Sequence, residues 1–336
     1  MFKNNLYFEL TKSCNLNCSY CYLSADGRAQ KVENEVLIYE SCELLTDKLS
    51  KEEIEIDNII LHGAETFVLK PETIKGVVSR LKPLHKVRVQ TNGVALTPEY
   101  LDALGDLSDK LTIGFSIDAK SVHDKYRGGS YDTVFSHLLD VKARGYTCSI
   151  LSVVSCETIK YLDELAELLN EADSLGIKAV IKLAHGDGFS LSPHDQYLLA
   201  KWGVLTGHWR KMQSFNYEYC IHGGCSSNAI SEFSAVSGEV FVCNKTNNID
   251  GIVGNWRDES LKSVFEKRDK VFDNAAICAD CAGCPFWGVC FGGCPNDRDS
   301  EGRANDCFLK HHVYFFLAHK GIYYADAFFR NVGREK

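Results

Sequence analysis

Short β-rich runs alternate with amphipathic helical stretches from the start of the chain to about residue 190. Helical patterns such as Glu35–Leu49 and Thr158–Leu175 follow the strands. This alternation requires a parallel sheet with right-handed crossovers. Six units favour an α/β fold built as an open, partial (β/α)6 TIM-type barrel, with its chemistry at the carboxyl ends of the strands. The predicted strands are Leu6–Leu10, Ile54–Leu61, Lys86–Gln90, Leu111–Ile117, Thr147–Val154 and Ala179–Leu183.

Composition excludes several classes of protein. The 336 residues include 37 basic and 45 acidic side chains, and the net charge of −8 argues against broad attraction to nucleic acid or to an anionic membrane. The sequence lacks a signal-peptide pattern and any apolar run of membrane-spanning length. Fifteen cysteines, odd in number and clustered, indicate metal ligation rather than a disulfide framework. We therefore expect a cytoplasmic protein.

Three cysteines follow the first predicted strand. Cys14, Cys18 and Cys21 have the spacing C-x3-C-x2-C, with Tyr20 before the last one. Three thiolates can hold three irons of a [4Fe–4S] cluster and leave the fourth iron open. A zinc site is the alternative, but zinc prefers four ligands and C-x2-C pairs. The motif resembles the signature of radical S-adenosylmethionine (SAM) enzymes, in which the open iron binds the amino and carboxylate groups of SAM.

Residues at the later strand ends extend this resemblance. Gly63-Ala64-Glu65 resembles the family's Gly-Gly-Glu turn at the methionine ammonium, although Ala64 replaces a glycine. Ser116 resembles a ribose and methionine contact, Arg127 a basic residue after the fourth strand, and Leu183 an adenine contact. Alternatively Asn92-Gly93 is a plain turn, Ser116 caps a helix and Arg127 forms a solvated ion pair. The SAM contacts implied are Tyr20, Gly63, Ala64, Glu65, Asn92, Ser116, Arg127 and Leu183.

A second group of cysteines begins at Cys220. From Cys225 onward the spacing resembles the complete pattern of the SPASM extension, C-x(9–15)-G-x4-C, then C-x2-C-x5-C-x3-C, then C. The glycine of the pattern is Gly238, predicted to need a positive φ in a hairpin between Phe233–Val236 and Glu239–Val242. We therefore predict a radical SAM barrel over residues 1–212 and a SPASM domain over residues 213–336.

Similarity to anaerobic sulfatase-maturating enzymes implies how these cysteines divide between two auxiliary [4Fe–4S] clusters, making three clusters in all. Each auxiliary cluster would have four cysteines and no open iron, which favours electron transfer. Cys42, Cys148 and Cys156 would pack as small hydrophobes, whereas Cys278 could compete with Cys281 as a ligand. The nearer cluster would use Cys220, Cys225, Cys243 and Cys294, and the farther one Cys281, Cys284, Cys290 and Cys307.

The resemblance implies a peptide-modifying enzyme. A 5′-deoxyadenosyl radical would abstract hydrogen from a ribosomally made precursor peptide, and a thioether, C–C or C–O cross-link would form. Expected partners are this peptide, a flavodoxin or ferredoxin-type reductant, and a separate leader-recognition protein unless the barrel mouth or Gly186–Trp209 binds the leader. Asp118 and Asp187 are candidate proton acceptors.

Three alternatives stay open from the sequence. One is a SPASM-type dehydrogenase of a small alcohol or sugar, and another is a non-catalytic iron–sulfur electron carrier. The third is a protein-maturating oxidase of the sulfatase-maturase type. Those enzymes place an aspartate after the cysteine that corresponds to Cys243, whereas Asn244 follows it here and cannot take a proton, which disfavours the third alternative.

Overall fold

The computed structural model describes residues 5–21, 34–184, 186, 188–215, 230–242, 251–271, 276–290, 292–295 and 298–319. Within these residues no helix has the length and apolar character needed to cross a membrane. The helices are α1 (Glu35–Lys51), α2 (Pro71–Arg80), α3 (Pro98–Leu104), α4 (Lys120–Tyr126), α5 (Tyr131–Ala143), α6 (Leu162–Ser174), α7 (Pro193–Thr206), α8 (Leu261–Lys270), α9 (Trp287–Cys290) and α10 (Cys307–His319).

A parallel six-stranded sheet forms the first part of the molecule, as predicted. The strands pair in the order β6-β5-β4-β3-β2-β1, so each strand lies beside its predecessor in the chain. The predicted α/β fold with a partial barrel is therefore confirmed. The strands are β1 (Asn5–Glu9), β2 (Asn58–His62), β3 (Val87–Thr91), β4 (Leu111–Ser116), β5 (Thr147–Val154) and β6 (Lys178–Leu183).

The two faces of this sheet differ in chemistry because successive side chains point to opposite sides. One face packs against the helices and carries fully buried apolar residues, among them Phe8, Leu61, Val89 and Phe115. The other face carries polar residues within the strands, including Glu9, His62, Gln90 and Lys182. We call this second side the barrel interior.

Two of the boundaries predicted for the barrel differ by four residues from those observed, and the others by at most two. The second strand begins at Asn58 rather than Ile54, because α1 ends in a turn with Glu53 at a φ of 55° and the chain straightens only afterwards. The helix predicted over Thr158–Leu175 begins with a 3₁₀ turn at Thr158–Tyr161 and continues as α6. Neither change moves a predicted site residue.

The C-terminal part continues the same sheet. Strand β7 (Ile230–Ser234) pairs in parallel with β1, and β8 (Glu239–Phe241) and β9 (Ile252–Asn255) follow it antiparallel. Gly238 has the positive φ that the hairpin prediction requires, 77°. The first hairpin strand starts earlier than predicted, because its pairing with β1 extends back to Ile230. The boundary at residues 212 and 213 stays a prediction, since one sheet crosses it.

Candidate functional site

The loop that carries Cys14, Cys18 and Cys21 leaves the carboxyl end of β1. All three thiols are partly buried. Burial raises the pKa of Cys14, and the charges of Glu65 and of the other two cysteines raise it further. The Cys21 amide donates to the Cys18 carbonyl at 3.1 Å, which tightens the C-x2-C segment. Three sulfurs on one short loop are the donor set that an iron–sulfur cluster with one open iron needs.

The turn after β2 holds the start of this cysteine loop. The amide of Ala64 donates to the Thr11 carbonyl at 3.1 Å, and the amide of Glu65 donates to the Ser13 carbonyl at 2.9 Å. Gly63 makes the close approach possible, because a Cβ there would lie 2.6 Å from the Thr11 oxygen and its φ is 130°. The predicted Gly63-Ala64-Glu65 turn is thus a neighbour of the cysteine loop.

The Glu65 carboxylate is 1% exposed and bound on both oxygens. Its Oε1 accepts from Phe67 N at 3.0 Å and Thr91 Oγ1 at 2.7 Å, and its Oε2 accepts from Asn92 N at 2.7 Å. Burial raises its pKa, and these three donors oppose that rise. Glu65 therefore ties the end of β2 to the end of β3. A contact between Glu65 and a methionine ammonium stays a prediction.

Tyr20, Asp118 and Arg127 form a buried cluster against the cysteine loop. The Tyr20 hydroxyl donates to Asp118 Oδ2, and Arg127 Nε donates to the same oxygen at 2.9 Å. Val153 N donates to Asp118 Oδ1 at 2.7 Å. Burial and the Asp118 charge hold the Tyr20 pKa well above its usual value. In Arg127, burial lowers the pKa but the Asp118 charge outweighs it, so the guanidinium stays charged.

This cluster changes two expectations from the sequence. Arg127 is in a buried ion pair rather than a solvated one. Asp118 is fully buried and its carboxylate accepts from Tyr20, Arg127 and Val153, so it acts as an anchor for the loop and not as an accessible proton acceptor. The aromatic residue in the cysteine motif was the available signal for this contact.

The other predicted SAM contacts lie at the same edge of the sheet, whereas the candidate proton acceptor Asp187 is not placed. Asn92 donates from Nδ2 to Asn15 Oδ1 at 2.7 Å and lies 3.8 Å from Cys14 Sγ, so it contacts the cysteine loop. Ser116 ends β4 and is half-buried, while Leu183 ends β6 and packs against the core. Asp187 lies outside the described residues.

A second site lies in the C-terminal part. Cys281, Cys284, Cys290 and Cys307 line one cavity, the four cysteines that the resemblance assigns to the farther cluster. His311 Nε2 lies 3.4 Å from Cys284 Sγ. Arg303 hydrogen-bonds to Cys307 and lowers its pKa, although burial raises it more. The cationic guanidinium of Arg303 beside these cysteines suits the negative charge of an iron–sulfur cluster.

The remaining cysteines divide into placed and unplaced ones. Cys278 is buried, with its amide bonded to the Gly302 carbonyl, and it does not line the cavity. Cys42 and Cys148 lie in the core, where burial raises their pKa values to about 12 and about 11 and keeps them as thiols. Cys294 is partly buried, and so is Cys156, which lies outside the hydrophobic core and does not pack there as predicted. Cys220, Cys225 and Cys243 lie outside the described residues.

Both thiol sites offer the sulfur donors that an iron–sulfur cluster requires, although their described side chains do not yet converge on a metal position. Among the described residues, no three or more Cys, His, Asp or Glu side chains already converge at metal-binding distance. The fit rests on the three-thiol loop, which Gly63 allows to approach the turn closely, and on the cavity lined by four thiols.

The sequence analysis did not assign a role to three polar residues inside the barrel, Glu9, His62 and Glu232. Charged residues within otherwise apolar strands were the signal.

The comparison with family models decides what the first part is. Residues 8–169 match the model described as the Radical SAM superfamily. This part of the chain is a radical SAM domain. The cysteine loop, the Gly63 turn and strands β1 to β5 all lie within the matched residues.

Known relatives match different lengths of the chain. The mycofactocin maturase MftC of Mycobacterium tuberculosis is 31% identical over 167 residues, 48% of this chain and 41% of MftC. The AdoMet-dependent heme synthase of Methanosarcina barkeri is 21% identical over 325 residues, 85% of this chain and 89% of that protein. The chain spans less than half the length of the first curated relatives that it matches.

Solved structures extend the similarity beyond the radical SAM domain. The structure of anSMEcpe with bound AdoMet has a TM-score of 0.76 at 19% identity and covers 94% of this chain and 97% of its own. At this identity the likeness shows the fold, including the C-terminal extension. The same enzyme has also been solved with AdoMet and the Kp18Cys peptide.

Proposed function

We propose that this chain is a radical SAM peptide maturase that installs an oxidative cross-link in a ribosomally made precursor peptide. The observation that carries the proposal is the cysteine loop of the radical SAM domain, which hydrogen bonds hold against the turn at Gly63 and the buried Asp118 cluster. Bound on this loop, a [4Fe–4S] cluster and SAM would supply a hydrogen-abstracting radical. The protein residues bind, orient and shield these groups.

Cys14, Cys18 and Cys21 would hold the cluster, and Arg127 would bind the SAM carboxylate. The Arg127 guanidinium is buried, influenced by the charge of Cys18, and uses Nε for Asp118. Its Nη groups receive no hydrogen-bond acceptor from the described residues, which leaves a planar fork of the kind that binds a carboxylate. Asn92, Ser116 and Leu183 surround the same strand ends and would contact the rest of SAM.

The substrate class comes from the relatives. MftC is a maturase, and anSMEcpe binds the Kp18Cys peptide together with AdoMet. Thioether, C–C and C–O cross-links all require that the substrate lose an electron after hydrogen abstraction. Two auxiliary clusters in a SPASM domain over residues 213–336 would accept this electron, and a flavodoxin or ferredoxin-type reductant would supply the electron that the SAM-binding cluster needs. The cavity lined by Cys281, Cys284, Cys290 and Cys307 supports one of these clusters.

A second candidate function is the oxidation of a tetrapyrrole. The similarity to the heme synthase of Methanosarcina barkeri runs over 85% of this chain, whereas the MftC match covers 48%. Identity is lower, 21% against 31%, and both enzymes would share the radical SAM chemistry. The two functions therefore differ in substrate alone.

An anaerobic assay tests the proposed function. The reconstituted chain, SAM and dithionite should release 5′-deoxyadenosine, and replacement of Cys14, Cys18 and Cys21 with Ala should abolish that release. Short peptides encoded beside the gene should lose two hydrogens, about 2 Da by mass, when modified. Formation of heme from a porphyrin precursor with unchanged peptides would favour the heme-synthase alternative. Release of 5′-deoxyadenosine by the triple variant would contradict the assignment of the loop.

A further inference from the structure

Four charged or polar side chains face one another inside the barrel. Glu9 lies on β1, His62 on β2, Glu232 on β7 and Lys182 on β6. β6 and β7 are far apart in the strand order, yet the Lys182 charge acts on both His62 and Glu232. The sheet therefore curls so that these residues surround one interior space.

His62 and Glu232 are the central pair. His62 Nδ1 lies 3.9 Å from Glu232 Oε1, and the Tyr7 ring packs edge-on against the imidazole with centroids 5.3 Å apart. The Glu232 side chain is 1% exposed, and its Oε2 has no hydrogen-bond partner in the described part of the chain. The His62 side chain is 13% exposed, so it is the member of the pair that a bound molecule can reach.

The pair lies beside the proposed SAM site. His62 immediately precedes Gly63, whose turn holds the cysteine loop, and a Cβ on Gly63 would lie 3.0 Å from Glu9 Cγ. A buried carboxylate with an unpaired oxygen costs free energy, so a fold that retains one there suggests a use for it. The sequence-predicted proton acceptor Asp118 is bound on both oxygens and does not fill this role.

Electrostatics make the pair suited to proton uptake. Burial, with a further contribution from Glu9, raises the pKa of Glu232 to about 8, while Lys12 and Lys182 oppose the rise. Burial and Lys182 lower the pKa of His62 to about 4, so the imidazole is neutral near pH 7. Above about pH 8 the pair consists of a neutral imidazole and a carboxylate, and it can accept one proton.

We propose that His62 is the proton acceptor of the maturation reaction and that Glu232 is the positioning residue behind it. The inference rests on the proposed function. In the step concerned, a peptide thiol or hydroxyl group X–H bonds to the carbon that has lost a hydrogen atom to the 5′-deoxyadenosyl radical. The X–H proton passes to His62 Nε2, and one electron leaves to an iron–sulfur acceptor, which balances the step. Glu232, which faces Nδ1 and has the higher pKa of the pair, then draws a proton from the imidazolium, so that His62 is neutral again.

Two variants and a matched control test the proposal. His62→Gln removes the acceptor, Glu232→Gln removes only the charge behind it, and Glu266→Gln makes the same change on the exposed face of α8. Each chain is reconstituted and given SAM, reductant and a peptide deuterated at the reacting carbon. The ratio of cross-linked peptide to deuterated 5′-deoxyadenosine is measured between pH 6 and 9.5.

In wild-type protein and Glu266→Gln, the ratio should rise with pH up to about 8. His62→Gln should lower it by on the order of a hundredfold at pH 8 and above, the lower end of the contribution of a general base, with deuterium transfer retained. Glu232→Gln should lose the rise with pH. Glu232→Asp keeps the carboxylate and should show part of the rise of the ratio with pH. This variant replaces Glu232→Gln in the test if Glu232→Gln fails to fold.

A second measurement does not depend on turnover. Histidine-selective NMR of the reconstituted wild-type chain between pH 6 and 9.5 should show the His62 ring signals change as Glu232 loses its proton at about pH 8. In Glu232→Gln, which has no proton to lose there, the signals should stay constant. An unchanged ratio in His62→Gln, or the same pH dependence of the His62 signals in Glu232→Gln as in wild type, would overturn the proposal and make the pair a structural contact between β2 and β7. If wild-type protein releases no 5′-deoxyadenosine, the proposed function fails, and this inference fails with it.

Discussion

Tyr20 shows what a single side chain adds to the cysteine loop. Its position before the last cysteine was predicted to matter, but the sequence did not reveal the partner of the hydroxyl. The structure gives that partner as Asp118, nearly a hundred residues away on the turn after β4. Tyr126 and Phe189 pack edge-on against the Tyr20 ring at 5.3 and 6.1 Å. The cysteine motif therefore marks Tyr20 in the sequence, but no local signal identifies its distant partner.

Tyr20→Phe should loosen the cysteine loop. The change removes one donor from a buried carboxylate, and such losses cost on the order of 1–3 kcal/mol. We expect a lower free energy of unfolding and faster loss of iron to a chelator. Tyr39→Phe is the control, because the Tyr39 hydroxyl makes only an exposed 3.4 Å contact to the Glu72 carbonyl. Equal chelation rates for the two variants would show that the Tyr20 hydroxyl does not hold the loop.

Glu232 makes a prediction about stability and pH. Its pKa is raised to about 8 in the folded protein, so the native state keeps a proton that the unfolded chain loses at its ordinary pKa near 4.5. Stability should therefore fall as pH rises from about 4.5 to about 8. Glu232→Gln removes this dependence, and its stability relative to wild type should increase over that window by on the order of 1–3 kcal/mol. Denaturant titrations at several pH values measure it, and parallel curves would refute the raised pKa.

At the scale of elements, much of the fold and part of the candidate site followed from the sequence. Periodicity predicted all six parallel strands, and the spacing of Cys14, Cys18 and Cys21 placed the loop after β1. Positive φ at Gly238 followed from the need for a tight hairpin. The start of β7 and the contact of Glu232 with His62 could not be predicted from the sequence, because both depend on which distant strand lies beside β1.

Gly63→Ala tests the turn that holds the cysteine loop. The added Cβ would lie 2.6 Å from the Thr11 oxygen, at a φ of 130° that a side chain rarely adopts. The hydrogen bond from Ala64 N to Thr11 O should break, and reconstituted iron and SAM affinity should both fall. Gly145→Ala is the control. Its φ of 88° gives a similar backbone strain, but nothing lies near the new Cβ, so the difference between the two variants measures the clash with Thr11. Equal iron content in both variants would exclude a role for close approach at Gly63.

At the scale of the whole molecule, one nine-stranded sheet contains both the six barrel strands and strands β7 to β9 of the C-terminal part. Strand β7 pairs with β1, the strand from which the cysteine loop leaves, and α10 packs against α7. Trp256 stabilises the junction, with its ring 6.0 Å from Phe8 of β1 and 6.1 Å from Phe233 of β7. The cysteine motifs divide the sequence into two parts, whereas in the structure this apolar contact packs the C-terminal part against the barrel strands.

This continuity allows a test of the farther cluster without loss of the barrel. Cys290 lines the thiol cavity, and Cys290→Ala should remove one of four ligands while β1 to β9 stay folded. Three clusters correspond to roughly twelve irons per chain, and this variant should fall to about eight. Because the cysteine loop is untouched, SAM cleavage to 5′-deoxyadenosine should persist while cross-linked peptide decreases sharply.

Cys278→Ala is the matched control, since Cys278 is a buried neighbour of Cys281 that does not line the cavity. It should keep roughly twelve irons and the wild-type product yield. Loss of about four irons in Cys278→Ala but not in Cys281→Ala would make Cys278 the ligand in place of Cys281. Wild-type product yield from a Cys290→Ala chain shown to have lost the cluster would exclude an electron-transfer role, because the oxidation would then proceed without it. The cavity would in that case serve to hold α9 and α10 together.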